Sequence, residues 1–317
     1  MNHFKSIPIV LCWLVCLPNL APAGLASSQN DMRVMIDKDF VSIVTDQTPL
    51  LRYRYGDVFF KPYVLKLYSP KGVNILRDAP ADHLHHRGLM LAITADGVNF
   101  WEQHQSCGRQ IHGLINGVSI EKVNLLSPAS FQESLDWLDP TSGRSLLNEQ
   151  RKIEVRLLKD ASATLLTWQS KFEVPAGKES TVITGKHYHG LGMRFPEWMD
   201  KIGRLRNADE ATPVIFRGKE KLVKSTWCAY SAKAEDKDVT VAMFDHPDNR
   251  RPATWFMMRE PFAYLSATMN LHKKKLEVTS DRPLVLRYAV VICDGQTEKD
   301  RINRLYQQWI TEQKQSK

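Results

Sequence analysis

Long hydrophobic runs are scarce in this 317-residue chain. The first, Ile7 to Leu17, is shorter than the roughly 20 apolar residues a membrane-spanning helix needs, and Pro8 and Pro18 bracket it. Later runs, such as Val239 to Phe244 and Leu284 to Cys293, are interrupted by charge or have only strand length. Cysteine is also sparse. Of Cys12, Cys16, Cys107, Cys228 and Cys293, no two form a C-x-x-C pair, and the spacing provides no disulfide framework. A chain this long can bury a sufficient core without such staples, so buried free thiols are expected. Clusters of like charge are missing too. The net charge of +8 is spread along the sequence and forms no nucleic-acid-binding arm. It suits an acidic ligand or an anionic surface. There is no Pro/Gly/Ser-rich linker, no low-complexity tract and no internal repeat, which favours one domain. Nothing in the sequence sets an oligomeric state.

The amino terminus has the layout of an export signal. Lys5 is the only charge before Asp31, the apolar run follows, and the small-residue stretch Ala21-Pro22-Ala23-Gly24-Leu25-Ala26 supplies an A-x-A-like cleavage site. The expectation is a signal peptide over residues 1–26, a single domain over 27–317, a secreted or periplasmic location, and no stable membrane insertion after cleavage.

Strand patterns dominate the rest. Val41 to Val44, Tyr63 to Tyr68, Leu89 to Thr94, Lys152 to Leu158, Leu165 to Val174, Val239 to Phe244, Trp255 to Met258, Phe262 to Ala267 and Leu284 to Ile292 are separated by short turns. In Lys152 to Leu158 the apolar Ile153, Val155 and Leu157 alternate with Lys152, Glu154 and Arg156, and the segment pairs naturally with Leu165 to Val174 across Lys159-Asp160. Such a series predicts an all-β, large antiparallel sandwich. One helix is expected, from about Glu298 to Gln308, with Thr297 as cap and Ile302, Leu305, Tyr306 and Trp309 on one face.

Chemistry-bearing residues gather in three clusters. The densest is Asp82-His83-Leu84-His85-His86-Arg87-Gly88. In an extended segment His83 and His85 point to the same side, where they can hold a metal or a substrate oxygen, or shuttle a proton near neutral pH. A divalent metal is the one cofactor this spacing would accommodate, and no cofactor is assured. Trp101 beside Glu102 pairs a sugar-stacking ring with a carboxylate. Gly108-Arg109-Gln110-Ile111-His112 follows, and Glu149 with Arg151 opens a strand. The second cluster is Lys186-His187-Tyr188-His189-Gly190-Leu191-Gly192-Met193-Arg194, which has no Gly-Lys-Ser/Thr of a phosphate loop. The third is Phe244-Asp245-His246-Pro247-Asp248-Asn249-Arg250-Arg251-Pro252, leading to Trp255 and Arg259.

Together these segments resemble a bacterial family of unknown function that carries the label "methane oxygenase PmoA-like". The resemblance rests on Asp82-His83-Leu84-His85-His86-Arg87-Gly88, Gly97-Val98-Asn99-Phe100-Trp101, Glu149-x-Arg151, Gly190-Leu191-Gly192-Met193-Arg194 and Asp245-His246-Pro247-x-Asn249, in the family's order. Leu84 departs from it by replacing an expected proline, and Cys228-Ala229-Tyr230 is irregular. The oxygenase label fits poorly, since such a subunit is an integral membrane protein and this chain has no later spanning run. The resemblance implies instead a galactose mutarotase-like supersandwich, related to glycoside hydrolase and lyase sandwiches, in a setting of carbohydrate breakdown.

The expected function is an exported carbohydrate-active protein, a glycoside hydrolase or lyase acting on plain or oxidised sugars. His83, His85, His86, Glu102, Glu149 and His246 are the candidate acid/base residues. Arg87, Trp101, His112, Arg194, Asn249, Trp255 and Arg259 are the candidate substrate contacts. The alternatives are a mutarotase or epimerase, which uses the same residue types, and a non-catalytic glycan-binding or structural envelope protein, which would not need converging histidines. Convergence of the three clusters in one pocket would separate these classes.

Overall fold

Two large antiparallel sheets account for most of the computed structural model, which describes residues 32–46, 48–120, 128–158 and 162–315. The expected signal segment and the Lys159-Asp160 turn lie outside the described residues. One sheet has ten strands and the other eight, and a four-stranded sheet flanks them. The long hairpin expected from alternation is present: Ser145–Leu158 pairs with Ala163–Glu173, with Ile153 opposite Trp168 and Val155 opposite Leu166. Strand Leu284–Asp294 continues that sheet on one side and Lys237–Asp245 lies beyond it.

Runs that lack alternation have a simple cause. In the eight-stranded sheet, Val241, Met243, Val290 and Ile292 face the main core between the sheets. Their neighbours Ala242, Phe244, Ala289 and Val291 form a second core on the opposite face, with Ile302, Leu305, Tyr306, Trp309 and Ile310. A strand covered on both faces reads as a continuous apolar run. The covering element is the helix Lys299–Gln315, longer than expected because Ile310 extends the buried stripe. Each large side chain it buries contributes roughly 1.5–3 kcal/mol. No helix among the described residues is long and apolar enough to cross a membrane. Cys107, Cys228 and Cys293 are free and buried, as expected.

The site is positioned by the middle of the ten-stranded sheet. There Leu89–Ala92, Gly190–Arg194, Tyr264–Thr268 and Thr254–Met258 lie side by side. The first cluster enters the first of these strands, and the second enters the next.

Candidate functional site

Residues 82–87 are not extended. The His83 amide donates to the Pro80 carbonyl and the His86 amide to the His83 carbonyl, both at 2.9 Å, making successive turns. Gly88 then bends the chain into strand Leu89–Ala92 with φ of 42°, where a Cβ would meet the Val64 carbonyl oxygen at 2.2 Å. Only glycine fits there. The period-two geometry expected for His83 and His85 is therefore replaced by a folded one. Three rings still converge: His83 stacks on His86 at 4.6 Å, and His85 stands edge-on to both, at 5.6 and 4.6 Å. Two stacked rings hold their in-plane lone pairs side by side rather than aimed at a common centre. Among the described residues no group of three or more His, Cys, Asp or Glu side chains is arranged to hold a metal ion.

A cleft of about 200 Å³ opens over these rings. His83, His85, His86, Trp101 and Glu102 line it from one side, and Tyr188, Phe262 and Tyr264 supply aromatic walls. Arg217 and Glu220 reach it from the neighbouring edge hairpin. On one rim Lys186 pairs with Glu102 at 3.2 Å, and His104 lies 3.4 Å from the same carboxylate. On the other, Glu220 is held by Arg217 at 2.7 Å and by His187 at 2.9 Å. Trp101 is buried and stacks flat on His189 at 5.1 Å, so it forms the floor rather than a free platform. Beneath it the buried Lys61 ammonium donates to the Trp101 carbonyl at 2.5 Å.

Burial sets the protonation states. It pulls His85 down to about 4, helped by the nearby Lys61 charge. It takes His86 to about 2 and His189 to about 3. Lys61 falls to about 7 for the same reason. Burial is the largest single influence on the Glu102 carboxyl and would raise it, but the bond and charge of Lys186 together with nearby His85 and His104 outweigh this and hold it below the usual range. At neutral pH the cleft thus presents the uncharged His85 and His86 imidazoles beside the ionised Glu102 carboxylate.

The other expected site residues are distributed less uniformly. Arg87 stays close, bonding Gln103 at 3.0 Å, but does not line the cleft. Arg194 is buried rather than open to substrate, bridging His86 and Asp82 from below. Glu149 is fully buried between the sheets and bonded to Arg151, Trp137 and Ser170, with no share in the cleft. His112 belongs to that same interior network, 2.9 Å from Glu133. Trp255 is a core residue whose indole donates to the Ser225 carbonyl at 2.7 Å. Arg259 is half-exposed and paired with Glu260 at 3.2 Å.

The third cluster does not join the first. His246 packs edge-on against Trp309 of the carboxy-terminal helix at 5.5 Å, at the end of a strand in the other sheet. Asn249 is spent on the Asp245 carboxylate and on both backbone groups of Arg287. These bonds splice a loop onto the strand Leu284–Asp294. Two of the three clusters converge, and the third closes the fold.

A family model described as a family of unknown function (DUF6807) matches residues 41–307. The chain belongs to that family. No curated protein matches it. Solved structures of similar shape include the galactosidase domain of an α-galactosidase–sucrose kinase, at 8% identity over 83% of this chain and 42% of that one, with a TM-score of 0.50. Another is a GH36 α-galactosidase from Geobacillus stearothermophilus, at 10% identity over 83% of this chain and 41% of that one, also with a TM-score of 0.50. A galactose mutarotase-like protein from Clostridium acetobutylicum aligns at 9% identity over 84% of this chain and 99% of that one, with a TM-score of 0.45. This DUF6807 chain spans about two fifths of the α-galactosidases' length. At such identities the likeness is one of fold, the antiparallel sandwich.

Sequence reading missed Tyr188, Arg217, Glu220, Phe256, Met258, Phe262 and Tyr264 as cleft residues. Tyr188 stood inside the second cluster and could have been found there. Phe262 and Tyr264 read as plain strand residues, and only the pairing of Gly190–Arg194 with Tyr264–Thr268 brings them to the histidines.

Proposed function

We propose that this DUF6807 chain is an exported carbohydrate-active enzyme that cleaves a glycosidic bond, as a hydrolase or lyase, by imidazole acid/base chemistry. One observation carries the reading. His85 is half-buried in the cleft, accepts no hydrogen bond from any described residue, and is held neutral by burial. A neutral imidazole with an unused lone pair is a base at physiological pH. The surroundings suit a sugar: apolar ring faces for its C–H groups, and Glu102, Glu220 and Arg217 for its hydroxyls. The volume is below the ~300–1,000 Å³ of drug-sized pockets and suits a single ring.

The two-carboxylate mechanism of most glycosidases needs one carboxyl kept protonated. Glu102 is held ionised by Lys186, so it does not supply that acid, and His85 serves as the base instead. In a hydrolase His85 takes a proton from water, whose oxygen bonds the anomeric carbon as the glycosidic C–O bond breaks; in a lyase it takes a proton from a ring carbon, and the freed pair forms a ring double bond as the C–O bond breaks. The leaving oxygen departs with the bonding pair and is protonated from solvent or a neighbouring donor. Export rests on the Lys5, apolar-run and small-residue layout of the first 26 residues.

The test offers the protein without residues 1–26 a panel of neutral, acidic and keto-oxidised glycans. New reducing ends report a hydrolase, absorbance of an unsaturated ring a lyase, and anomer or epimer exchange by NMR a mutarotase-type enzyme. Turnover that cleaves a bond supports the reading. Binding without turnover replaces it with a glycan-binding role, and neither binding nor turnover overturns it.

A further inference from the structure

Arg194 has no path to substrate, yet it makes a polar contact with the His86 ring. Its Nη1 lies 3.3 Å from His86 Nδ1. Its Nη2 donates to Asp82 Oδ2 at 3.2 Å, and its guanidinium sits 3.6 Å over the Phe262 ring. The backbone is tied just as firmly: the Arg194 amide donates to the Gly88 carbonyl at 3.0 Å, and the Arg77 amide donates to the Arg194 carbonyl at 2.9 Å.

A guanidinium has only donors. The nitrogen facing it must therefore offer a lone pair, which places the single proton of a neutral ring on Nε2. The ring cannot readily turn over to escape this choice. His83 stacks on it at 4.6 Å, Tyr264 lies at 4.9 Å and Phe262 at 5.5 Å. We infer that Arg194, anchored by Asp82, is a positioning residue that locks His86 as the Nε2–H tautomer and so builds a fixed hydrogen-bond donor into the cleft.

The inference rests on the proposed acid/base reading for its purpose, and divides the labour between two adjacent histidines. His85, without a partner, accepts a proton. His86, its acceptor nitrogen already occupied, donates a hydrogen bond to the oxygen on which charge develops. Burial keeps it from charging in the folded protein. A preorganised neutral donor stabilises an oxyanion without giving its proton away.

The test does not need the substrate. In protein labelled with ¹⁵N in its imidazoles, two-bond proton–nitrogen correlations separate the tautomers, and loss of signals in His86→Gln assigns the residue. The expected wild-type pattern at neutral pH is a protonated Nε2 and an unprotonated Nδ1. In Arg194→Met the pattern should become a tautomer mixture or invert. If that variant does not fold, Asp82→Asn, at an exposed carboxylate, should shift the pattern in the same direction but less. On a substrate found by the glycan panel, kcat should fall about 10- to 100-fold with KM little changed, as for a small misplacement of a reacting group. A wild-type Nδ1–H tautomer, or an unchanged Nε2–H pattern in folded variants, overturns the inference. An inactive wild type with the expected tautomer overturns the functional reading instead.

Discussion

Glu149 and Arg151, between the two sheets, have every strong donor and acceptor engaged. The five guanidinium N–H groups of Arg151 go to Glu149 twice, Tyr53, Pro62 and Gln110. The Glu149 carboxylate accepts four bonds, including those from the Trp137 indole and the Ser170 hydroxyl. In the cleft, His85 has no such partner, and the Glu102 and Glu220 carboxylates are paired at rims that substrate can reach. Both regions use acids, bases and aromatic rings. The difference between them is satisfaction. Groups that spend all their bonding capacity on one another hold the sheets in register, and groups left with capacity can act on something else.

The comparison is broken most severely by removing a saturated partner. Arg151→Met leaves Glu149 and Glu133 buried without their cation, so stability should fall by about 3–5 kcal/mol. Denaturant unfolding monitored by circular dichroism measures this. A loss below about 1 kcal/mol would mean that the network is not a structural clamp.

Much of the fold was legible because it follows from alternation and turn chemistry. Ile153, Val155 and Leu157 marked one face of a strand, and Ile302, Leu305, Tyr306 and Trp309 marked the helix. The arrangement of strands was not legible. Nothing local says that Gly190–Arg194 lies between Leu89–Ala92 and Tyr264–Thr268, and that placement is what brings Tyr188, Phe262 and Tyr264 to the histidines. The site was half legible for the same reason. Residue type identified His83, His85, His86 and Glu102. It also nominated Glu149 and His246, because a buried network and a loop splice use the same side chains as catalysis. Only burial and bond counting separate them.

A gentler version of the comparison concerns the third cluster. Asn249→Ala removes bonds to Asp245 and Arg287 and leaves the buried Asp245 carboxylate short of a donor. The expected cost is about 1–3 kcal/mol in unfolding free energy, with glycan turnover per folded molecule unchanged. A specific loss of turnover without a stability change would restore that loop to the site.

Acid sharpens the distinction further. His85, His86 and His189 are held at about 4, 2 and 3 when folded, against about 6.5 in an unfolded chain. Below pH 6.5 the unfolded state therefore binds more protons, so stability falls as the pH drops toward these values. The unfolding midpoint should decline between pH 7 and 5, and His189→Phe should flatten the decline. The activity profile should hold its base limb near pH 4 rather than 6.5. An acid-insensitive midpoint would show that these rings are not kept neutral by burial.

The most direct test of the central claim is His85→Ala, measured for turnover and stability together on a glycan that the wild type cleaves. Removal of the base should lower kcat/KM by about 10²- to 10⁴-fold, while unfolding free energy stays within about 1 kcal/mol of wild type, since only ring contacts with His83 and His86, and no hydrogen bond to a described residue, are lost. A folded His85→Ala variant that turns over the glycan at the wild-type rate would contradict the account.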